Sequence, residues 1–240
     1  MLLLFGVVLG NTFGDRFMSP IFMVYQHSEL FVMYSQFLNN TLGKPLWLHG
    51  TKTKFNSWSF PPPMKDALTV RHSAVFFTTN YSFAQAVGPN VACVSLREKA
   101  KVLDATSDYS GAEQLRQEVA SHALASRLIN VNQEYWHNGW KDGSVLRMAF
   151  QDPQVHKTLS ATVEQQMKLV RLDRKVVETM VLQNATRGFI ELICDKARAL
   201  GYDALFGYEI DRHSVSNSVL KQPWLAVLRR SVVSDPEWIS

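Results

Sequence analysis

Two short polar clusters in this chain follow directly on apolar runs, where a buried strand would end and hand its polar groups to a ligand. The first is His49-Gly50-Thr51, which closes Leu46-Trp47-Leu48. The second is Thr78-Thr79-Asn80, which closes Ala74-Val75-Phe76-Phe77 and leads into Tyr81-Ser82-Phe83-Ala84-Gln85-Ala86-Val87. Gly50 has no Cβ and lets a ligand or another backbone come close. Thr51 adds a hydroxyl, while Phe76, Phe77 and Tyr81 offer flat faces for stacking. No Gly-x-Gly-x-x-Gly or phosphate-loop sequence is present, and no Ser or Cys sits in a nucleophile elbow.

Two strands and a helix are needed to position these groups. With period-2 alternation Trp47 and His49 share one strand face, and Leu46 and Leu48 take the other. In the second run Val75 and Phe77 share a face opposite Phe76 and Thr78. Asn80 or Thr79 caps the helix that follows, whose apolar stripe is Phe83, Ala84 and Val87. Residues Lys52 to Ser73 contain Pro61-Pro62-Pro63 and form a long loop. Val91 to Asp104 reads as a strand, a turn and a short extension. From Gly111 to about Leu200 the spacing is helical, with stripes such as Leu115, Val119 and Ala123, and later Val176, Val177, Met180 and Val181. Strands return at Leu205–Ile210 and Trp224–Leu228, and Pro223 starts the second or places it at a sheet edge.

Composition sets the outer bounds. The chain has 240 residues, enough for one domain with an insertion. A hydrophobic content of 46% against 19% charged residues is that of a folded globular protein. The net charge of +4 comes from interleaved acids and bases, with no basic block that would point to nucleic acid. Cys93 and Cys194 lie in apolar surroundings and read as buried free thiols. No Cys/His cluster has metal-ligand spacing, so no metal is expected. Met1 to Gly10 is apolar but lacks a basic n-region and a small-x-small cleavage site, and it is too short for a membrane span. It is expected to pack on the domain as a strand or helix, in a cytoplasmic protein with no membrane partner, although secretion stays open. Ile21 to Leu38 has helical spacing.

Trp47-Leu48-His49-Gly50-Thr51, Val75-Phe76-Phe77-Thr78 and the later Gly201-Tyr202-Asp203-Ala204-Leu205-Phe206 together resemble the ADP-ribosyltransferase superfamily, in particular its small bacterial members of the His-Gly-Thr type. The resemblance implies an α+β fold: a split, mostly antiparallel β-sheet core, with residues 1–43 as an N-terminal helical extension and 108–185 as a helical insertion. It implies transfer of ADP-ribose from NAD, the only cofactor implied, to a macromolecular acceptor, a protein rather than a nucleic acid. By the same resemblance His49 meets the adenosine-side ribose and the Gly50 backbone holds the nicotinamide carboxamide. Phe76 falls where many members carry tyrosine, with Phe77 its neighbour if the register shifts. The family's third catalytic position, usually a glutamate at the start of the strand after the Gly-Tyr-Asp element, matches Gln222; Glu209, on the preceding strand, is the nearest acid. Three other readings stay open: a binding or inhibitor protein that kept the fold without turnover, a virion structural protein, and His49 as an ordinary core residue. His72, His122, His137 and His213 show no partner pattern.

Overall fold

Leu48 and Gly50 alternate with Trp47, His49 and Thr51 along the first strand, and the two rows face different neighbours. The computed structural model describes residues 46–64, 70–122, 133–147, 153–210 and 221–239. The expected elements at 1–10 and 21–38, and the whole of the 1–43 extension, lie outside the described residues. In chain order the elements are β1 (Trp47–Thr51), β2 (Val75–Phe77), α1 (Tyr81–Val87), β3 (Asn90–Val94) and β4 (Val102–Asp104). Helices α2 (Ser110–Ala120), α3 (Gln133–Asp142), α4 (Pro153–Met167) and α5 (Arg174–Ala199) follow, then β5 (Ala204–Ile210), β6 (Lys221–Val227) and β7 (Glu237–Trp238). The fold is α+β.

The strands form two sheets, one in the order β1-β3-β7 and one in the order β2-β6-β5-β4. All pairings are antiparallel except β4 with β5. That parallel pair requires a crossover, and the helices α2 to α5 supply it. One β-bridge joins the sheets: Leu48 N donates to Thr78 O at 2.7 Å, and Thr78 N donates to Leu48 O at 2.9 Å. Beyond that pair β1 and β2 part.

Three clusters fill the layers. Trp47, Trp58, Val75, Phe77, Ala204, Leu225 and Val227 pack together, joining residues of both sheets. The opposite face of the larger sheet, with Leu205, Trp224 and Ala226, carries Leu115, Val119, Val163, Val177, Phe189 and Ile193 of the helices. Burial of each such side chain contributes about 1.5–3 kcal/mol, so the helical segment is part of the main core. Helix α5 runs unbroken through residue 185. It begins at the Asp173 cap, which accepts from Lys175 N at 2.8 Å, and ends where Gly201, at φ +84°, lets Tyr202 N reach back to Ala197 O. The third cluster, Leu48, Ala84, Val91 and Cys93, seats α1 on the smaller sheet. Cys93 and Cys194 are both buried and free, and they belong to different clusters.

Two expectations need correction. Val87 is 39% exposed, and α1 buries only Phe83 and Ala84, because a seven-residue helix presents little more than one contact turn. The last long strand begins at Lys221, before Pro223, and lies inside its sheet between β2 and β5. Pro223 is tolerated because β2 stops opposite Leu225, which leaves Pro223 with β5 as its one strand neighbour.

Gly50 answers to the close approach of α1. A Cβ at this position would lie 1.6 Å from the Ala84 carbonyl oxygen, and one at Gly88 would lie 2.2 Å from the Thr51 carbonyl carbon. Gly50→Ala is therefore expected to lower stability by about 3 kcal/mol, read as the shift in the urea unfolding midpoint.

Candidate functional site

The place where β1 leaves β2 is built from backbone geometry. Successive peptide groups of a strand point alternately to either side, so Phe76, two residues before Thr78, also turns its carbonyl toward β1. Thr78 finds Leu48 there, but at Phe76 the partner strand has moved away. His49 fills the fork, its Nδ1 donating to Phe76 O at 2.8 Å. A carbonyl can only accept, so Nδ1 carries a proton and donates it.

Aromatic rings enclose the same imidazole. Trp58, Phe77 and Phe55 lie 5.2, 5.6 and 6.5 Å from it, centroid to centroid. The loop that brings Phe55 and Trp58 here is pinned to the C-terminal segment. Trp58 Nε1 donates to Ser234 O at 3.1 Å, and Trp238 Nε1 donates to Phe55 O at 3.1 Å. Phe77 is thus the aromatic neighbour of His49. Phe76 offers His49 only its carbonyl, because its ring lies on the helical side, stacked 5.4 Å from Trp224 and edge-on to His72.

A second polar group lies at the far end of β2. Asn80 Oδ1 caps α1 by accepting from Phe83 N at 3.0 Å, and Asn80 Nδ2 donates to Gln222 Oε1 at 2.7 Å. Extending the register Phe77↔Leu225 by three residues places Asn80 opposite Gln222, so the contact continues the sheet with side chains. Gln222 is buried and lies opposite Glu209 of β5. The Glu209 carboxylate forms an ion pair with Arg147, in the 3-10 turn Ser144–Arg147, and both side chains are largely buried. An acid held by a guanidinium has most of its charge already compensated.

The predicted residues therefore gather in two sets. His49, Gly50, Thr78 and the Phe77 ring surround the fork, and Gln222 and Glu209 meet Asn80 and Arg147. Strand alternation puts the second set on the helical side of the larger sheet, so a ligand touching both must pass the end of β2. His49 and Gln222 meet the chain at Phe76 and Asn80, four residues apart, roughly 13 Å along an extended strand. Thr51 sits half-buried at the end of β1, its hydroxyl accepting from Thr53 N at 3.5 Å. Tyr81 packs against the Leu48–Ala84 cluster, on the other face of β1 from His49, and does not join it. Among the described residues no three His, Cys, Asp or Glu side chains gather as a metal site. No described helix is long and apolar enough to cross a membrane.

The capping position of Asn80 was visible in the sequence, but its second contact was not, because Gln222 is 142 residues away. Arg147 had no local signal at all. His72, which has no sequence partner, hydrogen-bonds Glu191 Oε1 through Nδ1 at 2.8 Å, while Ser73 N donates to Glu191 Oε2 at 2.8 Å. This pair ties the approach to β2 onto α5.

No protein-family model and no curated protein matches the chain. A solved structure described as the crystal structure of an anti-CRISPR protein is similar over 79% of this chain and 93% of that one, at 12% identity and a TM-score of 0.36. At that score the likeness fixes neither fold nor function.

Burial is the largest influence on Glu191 and pushes its carboxyl up, but the hydrogen bonds from His72 and Ser73 together outweigh it and hold the group below its ordinary value. Its contribution to stability is then complete above the unfolded value of about 4.3 and is lost as pH falls through the folded one. Unfolding free energy should drop more steeply below about pH 4.3 in the wild type than in Glu191→Gln. Arg147→Met leaves the Glu209 carboxylate without its counter-charge and should cost about 3 kcal/mol, with part of the loss recovered in Arg147→Met/Glu209→Leu.

Proposed function

We propose that this chain is a mono-ADP-ribosyltransferase that binds NAD around the end of β2 and transfers ADP-ribose to a macromolecular acceptor, a protein rather than a nucleic acid. The observation that carries the reading is the convergence on β2. Its Phe76 carbonyl takes His49 from one side, and Asn80 at its end takes Gln222 from the other. A ligand that reaches both sides has to be longer than a single ring system, and a dinucleotide meets that requirement. On this reading His49 meets the adenosine-side ribose, and the aromatic group of Phe55, Trp58 and Phe77 lines the path beside it.

In the reaction the bond between ribose C1′ and the nicotinamide nitrogen breaks. Nicotinamide leaves with the electron pair as a neutral molecule, an acceptor nucleophile forms the new bond at C1′, and its proton passes to solvent. The protein needs no nucleophile of its own; it orients the ribose and excludes competing water. Gln222 holds the reacting ribose without supplying a negative charge. The acidic alternative, Glu209, is occupied by Arg147.

That last contact favours a second reading, in which the same fold binds NAD and does not turn it over, as a binding or inhibitor protein would. Nicotinamide release from NAD by the purified protein separates the two. A transferase should lose about tenfold or more of its release rate at low NAD in His49→Ala, and Gln222→Ala should bind NAD more weakly, because each loses a hydrogen bond to the ligand. Gln222→Glu should raise the rate by supplying the missing charge. A thermal shift with NAD but no release in either wild type or Gln222→Glu would establish the binding protein, and no response to NAD at all would overturn both.

A further inference from the structure

The two amides at the end of β2 have orientations that the backbone dictates. The Phe83 N–H can only donate, so the Asn80 atom 3.0 Å from it is the oxygen. The other terminal atom of Asn80 is then the NH2 nitrogen. The Gln222 atom 2.7 Å from that nitrogen must in turn be an acceptor, which makes it Oε1. One backbone N–H therefore sets both side chains in series, and Gln222 keeps Nε2, a pure donor, as the part of its amide turned away from Asn80.

From this geometry we infer that the third position of the site presents a hydrogen-bond donor, that the ligand group it takes is an acceptor oxygen of the dinucleotide, and that Asn80 is the positioning residue holding it in that sense. The inference rests on the NAD reading above and adds to it the polarity of the contact. A carboxylate at this position would accept from a ribose hydroxyl and steady a developing positive charge. An amide that meets the ligand through its N–H groups binds the oxygen but opposes that charge, so it favours retention of NAD over its cleavage.

Asn80→Asp tests the relay. Asp caps a helix as well as Asn does, so the Phe83 N–H keeps its acceptor and the thermal midpoint should move by no more than about 2 °C. Both Asp oxygens only accept, so Gln222 must turn Nε2 toward position 80 and present Oε1 instead. In the ligand-free protein, a Gln222 side-chain amide proton should move downfield in the 15N-edited spectrum, since it now bonds a carboxylate. Nicotinamide release should rise about tenfold through kcat, and the gain should vanish in Asn80→Asp/Gln222→Leu. The same Gln222→Leu change should weaken nicotinamide riboside if the oxygen belongs to ribose, and weaken only NAD if it belongs to phosphate.

An unmoved amide resonance would overturn the inference, as would a rate gain that survives Gln222→Leu. If NAD binds the wild type, is lost in His49→Ala, and is handled identically by Asn80→Asp, the inference falls and the NAD reading stands. If NAD binds none of these proteins, both fall.

Discussion

Two backbone hydrogen bonds between Leu48 and Thr78 join the three-stranded sheet to the four-stranded one, and the candidate site depends on where that pairing stops. Had β1 and β2 stayed paired, the Phe76 carbonyl would be consumed by a strand. Because they part after one bridge, the carbonyl is left for a side chain, and His49 takes it. A broken ladder leaves backbone groups that must find partners, and a polar side chain in the gap is the least costly answer. The fork thus makes the site and requires a residue such as histidine to occupy it.

The same constraint governs what surrounds the fork. Gly50 lets α1 lie against β1, so the helix begins at Asn80 and directs that side chain back over the end of β2. Asn80 then spans the space between α1 and β6, capping the one and holding Gln222 on the other. On the helical side, Arg147 closes the line of polar groups by pairing with Glu209. Asn80, Gln222, Glu209 and Arg147 each meet a complementary group, and an unpaired one there would be costly.

Both aromatic residues of β2 are buried at least in part, and they serve different layers. Phe77 lies in the core shared by the two sheets, beside His49 and Trp58, while Phe76 stacks on Trp224 beneath the helices. A tyrosine hydroxyl at Phe76 would point into the helical side. The phenylalanine there is consistent with a packing role, and the aromatic contact to the imidazole falls to its neighbour.

Local order was legible in the chain itself. The alternation in Trp47–Thr51, the cap at Asn80, the helix that ends at Ala199 and the Gly201 turn into β5 all depend on neighbours a few residues away. Steric and hydrogen-bonding preferences of that range are carried by the sequence. What needed tertiary structure was every contact that joins distant segments. Gln222 meeting Asn80, Arg147 meeting Glu209, Trp58 and Phe55 closing over His49, and β6 lying inside its sheet despite Pro223 are of this kind. Residue types name the partners a side chain can accept, but which one it meets is decided by the packing of whole layers, where many small burial terms sum to more than any single polar contact.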